Sequence, residues 1–241
     1  SLDNSTYQSS GTFAGLLAGN YTIYVKDANG CISVSNNTIS EPEKLVLSLV
    51  SKTDVDCKGN NTGSIQITSI GGTGIKRFSK DKIAYQSSPQ FNSLTAGQYR
   101  LYVKDANNCM DSIFVSITEP EVLTSSITSQ TNVACHGNST GNATVQGNGG
   151  TFPYQYSVNG STFQTSGTFS NLPAGNYNIT IRDNKNCQTI QQVTITEPPR
   201  LLIQSVTNVS VRCKGGSDGS LLIRATGGVR PFVFSLNNGT F

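Results

Sequence analysis

Apolar residues alternate with polar ones most clearly after each Leu-x-x-Gly-x-Tyr stretch. Tyr99, Leu101 and Val103 point one way, and Arg100, Tyr102 and Lys104 point the other. Tyr177, Ile179 and Ile181 repeat the inward set, with Asn178, Thr180 and Arg182 outward. A period of two with one apolar face predicts a half-buried strand. Asp27-Ala-Asn29-Gly30 then supplies residues that tolerate positive φ, so a hairpin follows. Its second strand is expected to end near Ile39, Ile117 and Ile195, at equivalent buried positions. A further strand runs through Ile65 and Ile67, matched by Ala143 and Val145 and by Leu221 and Ile223. Gly71-Gly72 ends it. A short strand is expected at Phe78, Tyr156 and Phe234, with Tyr154 and Phe232 at the preceding alternate position. No segment sustains a 3.6-residue period. Six or seven short strands separated by turn signals predict an all-β, immunoglobulin-like β-sandwich. Tyr21, Tyr99 and Tyr177 stand where such folds place a tyrosine corner, whose hydroxyl bonds back to upstream backbone.

The same pattern occurs three times. Tyr21-Thr-Ile-Tyr-Val-Lys-Asp-Ala-Asn-Gly-Cys31 returns at Tyr99–Cys109 and at Tyr177–Cys187, each 78 residues on. Glu41-Pro42, Glu119-Pro120 and Glu197-Pro198 keep that offset, as do Cys57, Cys135 and Cys213. A fixed period of this length marks a tandem array of small units. With units beginning after each Glu-Pro, residues 1–42 are the C-terminal part of a repeat, 43–120 and 121–198 are full repeats, and 199–241 are the N-terminal part of another. A 78-residue sandwich has a small core, so neighbour contacts or disulfides are expected to support it. Short Glu-Pro junctions without a flexible linker predict stiff joints and a rod or regular superhelix, with neighbouring repeats of the same chain as partners.

Composition narrows the class. Charged residues are 13 % of the chain, against about 25 % in an average soluble protein. Ser, Thr, Asn, Gln and Gly supply the polarity, as on many cell-surface proteins. A net charge of +3 without a basic run gives no footprint for nucleic acid. No apolar stretch approaches the ~18 residues of a membrane helix. The chain opens on polar residues rather than a signal peptide, and any targeting signal is expected outside this segment.

Five motifs in order carry a family resemblance. Cys213-Lys-Gly-Gly-Ser-Asp-Gly-Ser220, Gly227-Gly-Val-Arg-Pro231-Phe232, Leu172-Pro-Ala-Gly175, Asp27-Ala-Asn-Gly-Cys31 and Thr196-Glu-Pro198 resemble the SprB repeat of cell-surface gliding adhesins of Bacteroidota. The copy at 43–120 departs locally, with Gly74-Ile75-Lys76 in place of the Pro-aromatic pair. The resemblance implies export by the type IX secretion system and display outside the outer membrane. It also implies a role in gliding or attachment, with the gliding and secretion machinery engaged through regions outside this segment.

Two cysteines per period in a polar, uncharged array predict disulfides in an oxidising compartment. Three spacings respect the period. Spacing 26 pairs Cys31–Cys57, Cys109–Cys135 and Cys187–Cys213. Spacing 52 pairs Cys57–Cys109 and Cys135–Cys187. Spacing 130 pairs Cys57 with Cys187 across two units. Spacing 52 joins turns expected at opposite ends of one sandwich, roughly 20–30 Å apart, whereas a bridge needs Cα atoms within about 7 Å. Spacing 26 is nearly symmetric about the Glu-Pro junction and is favoured if the chain folds back there.

Other candidate chemistry is thin. The one histidine, His136, stands where other copies have Lys58 and Lys214, so it reads as a solvated turn residue. No nucleophile–base pair recurs, and no enzyme activity, cofactor or metal is expected. Asp27, Asp105 and Asp183, with Asn29 and Asn107, read as caps of their own turn rather than calcium ligands, which would need six or more oxygens. Cys57-Lys-Gly-Asn-Asn-Thr-Gly63 has the glycines of a phosphate loop, but no helix follows it. Asp111-Ser112-Ile113 resembles an O-glycosylation site of exported Bacteroidota proteins, which makes Ser112 a candidate. The first functional reading is a structural segment of a long surface adhesin filament that meets an extracellular polysaccharide or surface. The alternatives are a carbohydrate-binding module array and a non-catalytic stalk of a secreted enzyme. Outward Tyr24 and Tyr102 would serve a sugar platform, but the third copy has Thr180 there.

Overall fold

The computed structural model describes residues 1–236. It is all-β, with sixteen strands and no helix among the described residues. Residues 43–120 hold one set of six: β3 (Val46–Thr53), β4 (Gly63–Ile70), β5 (Arg77–Ser79), β6 (Gln90–Leu94), β7 (Gly97–Lys104) and β8 (Met110–Ile117). Residues 121–198 hold its equivalent: β9 (Thr124–Thr131), β10 (Gly141–Asn148), β11 (Gln155–Ser157), β12 (Thr168–Leu172), β13 (Gly175–Arg182) and β14 (Gln188–Ile195). Each set makes two three-stranded antiparallel sheets, ordered β3-β4-β6 and β5-β7-β8 in the first and β9-β10-β12 and β11-β13-β14 in the second. The tandem immunoglobulin-like sandwich follows: one sheet takes the first, second and fourth strands of a repeat, the other takes the third, fifth and sixth.

The register repeats to the residue. Tyr99 faces Val115 in β7–β8, and Tyr177 faces Val193 in β13–β14. The core repeats as well. Ile65, Ile67, Phe78, Phe91, Leu94, Leu101, Val103, Val115 and Ile117 are buried, and so are Ala143, Val145, Tyr156, Phe169, Leu172, Ile179, Ile181, Val193 and Ile195 at the same offsets. Both inner faces contribute to it, as period-two alternation requires. Small residues are needed where sheets meet closely. A Cβ on Gly141 would lie 2.6 Å from Ile195 Cγ2 and 2.7 Å from the Leu172 carbonyl oxygen, and Gly63 is equally confined by Leu94 and Ile117.

The terminal segments hold half-sets. Residues 1–42 carry the hairpin β1 (Gly19–Lys26) and β2 (Ile32–Ile39), and residues 199–236 carry β15 (Leu202–Val209) and β16 (Ser220–Thr226). Two expectations are corrected here. Ile39 is 39 % exposed, whereas Ile117 and Ile195 are 2 % exposed, because among the described residues no second sheet covers the β1–β2 hairpin. Phe234 lies outside any strand, whereas its counterparts Phe78 and Tyr156 are in strands that pair with β7 and β13; among the described residues no strand pairs with it.

The chain divides into two compact units, residues 1–53 with 63–117, and residues 54–62 with 118–241. The β3–β4 turn thus belongs to the second unit, although its flanking strands belong to the first.

Candidate functional site

The chemistry of this chain lies in its two cysteine turns, one at each end of a repeat. The β7–β8 turn is organised by Asp105, 4 % exposed. Its Oδ1 accepts the backbone N–H groups of Asn107 and Cys109, both at 2.9 Å. Its Oδ2 reaches across the sandwich end to the Thr73 N–H at 2.8 Å, while the Ala106 N–H donates back to the Thr73 carbonyl. Asp183 does the same for Lys185, Cys187 and Thr151. These hydrogen bonds, that from Thr73 foremost, hold the Asp105 carboxyl below the usual carboxylate range. The Gly-Gly pair makes room for the clamp. Gly72 and Gly150 have φ of 61° and 56°, and a Cβ there would sit 3.0 Å and 2.5 Å from the Asp oxygen. The aspartates therefore cap their own turn and also tie it to the end of β4 or β10. Both carboxylate oxygens are spent on N–H donors, which leaves them poorly placed for a cation.

The opposite end carries the β3–β4 and β9–β10 turns. Asn60 donates its N–H to the Cys57 carbonyl, and Asn138 donates to that of Cys135. The glutamates of the second and third Glu-Pro pairs close on their own repeats' turns. Glu119 accepts the Gly59 N–H at 2.8 Å and pairs with Lys58 at 2.6 Å; Glu197 accepts the Gly137 N–H at 2.7 Å and meets His136 Nδ1 at 3.0 Å. Lys58 and the Gly59 N–H hold Glu119 below the usual carboxylate range. His136 therefore serves as an alternative partner for this glutamate, beyond a solvated turn position. Sequence reasoning missed the contact, although its signal was present: Lys58, like His136, stands next to a cysteine and 61 residues before a glutamate.

These two ends decide the disulfide. Cys57 is bonded to Cys187, 130 residues away, with Cα atoms 5.7 Å apart. Cys31, Cys109, Cys135 and Cys213 are free and exposed. The bond lies within the second compact unit, which includes residues 54–62. It corrects the favoured spacing-26 set, Cys31–Cys57, Cys109–Cys135 and Cys187–Cys213, and also the spacing-52 set, Cys57–Cys109 and Cys135–Cys187. The reason is topological. Within one repeat the two cysteine turns sit at opposite ends of eight-residue strands, roughly 26 Å apart. Strand β8 leaves its repeat at the end that holds Cys57, fixed there by Glu119. Strand β9 enters the next repeat at the end that holds Cys187, where Gly150 donates its N–H to the Glu121 carbonyl. Within the second unit, residues 118–121 run from Thr118, whose carbonyl accepts the Val55 N–H, to Glu121, whose carbonyl accepts the Gly150 N–H, and so bring the 54–62 turn to the hairpin end of residues 121–198, where cysteines 130 apart meet rather than 26.

The remaining candidates take definite places. Tyr21, Tyr99 and Tyr177 each donate the phenol O–H to a carbonyl four residues upstream, of Leu17, Thr95 and Pro173, at 2.8–2.9 Å. Ser112 lies in β8, half-buried, with its hydroxyl oxygen accepting from Arg100. The neighbouring Asp111 accepts the Leu47 N–H at 2.8 Å, a bond that runs from the first sheet to the last strand of the second. Outward Tyr102 is flanked by Arg100, whose guanidinium also lies over Phe114. The equivalents Thr180 and Gln192 lack this aromatic pair.

No curated protein matches the chain in sequence. Among solved structures, the fibronectin(III)-like modules of CbhA from Clostridium thermocellum are 14 % identical, with a TM-score of 0.31, over 63 % of this chain and 94 % of that one. The three N-terminal domains of the outer capsid protein Hoc of bacteriophage RB49 are 12 % identical, with a TM-score of 0.41, over 77 % and 70 %. The SprB repeat model matches residues 49–75, 127–163 and 205–241. Successive matches start 78 residues apart, and the first stops at Ile75, where the copy at 43–120 lacks the Pro-aromatic pair. With three SprB-repeat matches in register on a repeating sandwich, this chain is similar to SprB repeats and is a repeat segment of a surface protein.

Proposed function

We propose that this segment is a load-bearing spacer of a long cell-surface adhesin filament, exported by type IX secretion, attached at the outer membrane and used in gliding or surface attachment. The observation that carries the reading is the bridge from the first turn of one repeat to the hairpin turn of the next. Repeat arrays gain length by number, and their cohesion depends on nearest-neighbour terms. A covalent staple at the joint adds cohesion where a small sandwich core is weakest. The polar, weakly charged surface suits an extracellular spacer. A sugar-binding array is less well supported, because the outward aromatic pair of β7–β8 does not recur. The test is in-frame removal of whole 78-residue units from the native surface protein. Reach, read as the distance from the cell at which a bead or surface is captured, is expected to shorten in proportion to the units removed, with binding specificity unchanged. Loss of specificity on removing one repeat, at unchanged reach, would assign the segment to ligand recognition instead.

A further inference from the structure

The outward face of β7–β8 sets residues 43–120 apart from the other copies. Phe114 stands there at 63 % exposure beside Arg100, its cross-strand neighbour. The other copies carry Asn36 and Gln192 in place of Phe114, and Thr22 and Asn178 in place of Arg100. A solvent-facing ring that its counterparts replace with amides is not required by the core. The Arg100 guanidinium lies 5.3 Å from the Tyr102 ring centroid and 5.2 Å from that of Phe114. Its Nε and Nη2 groups donate to the Ser112 hydroxyl at 3.3 and 3.2 Å, while Nη1 has no partner among the described residues. The Lys82 ammonium, from the β5–β6 loop, lies 6.0 Å from the same Tyr102 ring. Together with Met110 and Asp111 these side chains line a depression of about 240 Å³. Asp111 does not neutralise it, because its Oδ2 accepts the Leu47 N–H and its Oδ1 the Ser112 N–H. Neither Arg100 nor Lys82 pairs with a carboxylate among the described residues. A second type of cation–aromatic contact behaves differently. Lys104 over Tyr85 returns as Arg182 over Phe163 and as Lys26 over Tyr7, so it belongs to the fold. The Arg100 face belongs to one copy.

We propose that this face of residues 43–120 binds an acidic polysaccharide, one that carries carboxylate or sulfate groups on its sugar rings. Phe114 offers an exposed aromatic platform on which the apolar C–H face of a pyranose can lie. The Arg100 Nη1 group and the Lys82 ammonium are the unpaired donors that take the anionic substituent. A guanidinium already stacked on rings and held by a hydroxyl loses little freedom on binding, and its planar fork matches a carboxylate or sulfate. Two cations of one sign around a depression with no free carboxylate favour an anion there. The depression is shallow and lies on an open sheet face, so a small ligand would stay mostly exposed, whereas a polymer can run on across the strands. The site goes beyond the spacer reading and does not rest on it, since a filament that meets a surface needs only some of its units to touch it.

The experiment measures binding of the whole chain to polygalacturonate, dextran sulfate and uncharged dextran by calorimetry. One or both charged polymers should bind and dextran should not; which of the two binds separates a carboxylate from a sulfate ligand. Arg100→Gln and Phe114→Ala should each weaken binding by about tenfold or more. Melting should stay unchanged in both, because both side chains face solvent. Lys185→Gln makes the same change of charge on an exposed turn of the other sandwich and should leave the affinity as it was. The proposal is overturned if neither charged polymer binds or if dextran binds equally well. It is also overturned if Phe114→Ala has no effect, or if Lys185→Gln costs as much as Arg100→Gln, since either marks diffuse charge attraction. Binding to phosphatidylglycerol vesicles in preference to both polymers would assign the face to an anionic lipid surface instead. None of these results bears on the shortening of reach that tests the spacer.

Discussion

Removing the bridge should expose hidden length. Cys57 and Cys187 are 130 residues apart in sequence and 5.7 Å apart at Cα. An extended chain advances roughly 3.3–3.6 Å per residue, so the bond withholds about 420–460 Å of contour when the chain is pulled from its ends. In the chain-entropy model, closing a loop of this size also disfavours its complete unfolding by about 5 kcal/mol. Single-molecule force extension of the oxidised chain should therefore end about 420–460 Å short of the Cys57→Ser chain, and adding reductant should bring the two together. Full unfolding of the two sandwiches should be seen only in the variant or after reduction, because β4 to β13 lie inside the loop that the bond closes. Equal final lengths in oxidised wild type and Cys57→Ser would refute the reasoning. So would steps of about 90 Å on reduction, the mark of bridges spaced 26 residues apart.

Asp183→Ala strands three backbone N–H donors and should cost about 3 kcal/mol, seen as a fall in the urea midpoint of the second sandwich with an unchanged slope. Gly141→Ala, where the added methyl meets Ile195 and the Leu172 carbonyl, should cost about 1–3 kcal/mol, checked by the same titration. Tyr177→Phe, which loses only the bond to the Pro173 carbonyl, should cost about 1 kcal/mol. Asp105 has a folded-state carboxyl held below its unfolded value, so its contribution is present above the ordinary carboxylate range and fades as pH falls through the depressed value. Acid titration followed by circular dichroism should show the first sandwich losing stability below about pH 4, and Asp105→Asn should flatten that dependence.

The local architecture was written in the sequence because it rests on short-range rules. Alternation at Tyr99–Val103 and Tyr177–Ile181 set the inward faces, Asp-x-Asn-Gly set the hairpin turn, and the Tyr after Gly97 and Gly175 found a carbonyl four residues back. A fixed 78-residue period then guaranteed that Ile65 and Ala143, or Leu101 and Ile179, share an environment. The disulfide was not legible in the same way, because spacing alone allowed 26, 52 and 130. Which pair meets depends on the end at which β8 leaves one sandwich and the end at which β9 enters the next, and strand order and direction in the folded chain decide that. The same holds for Asp105 and Glu119. Each carboxylate was visible, but its partner, Thr73 or Gly59, lies 32 or 60 residues away in sequence and comes within hydrogen-bonding distance only once the two sheets have closed. Burial follows the same division: Ile39 has the sequence context of Ile117, yet only a covering sheet takes such a side chain out of water.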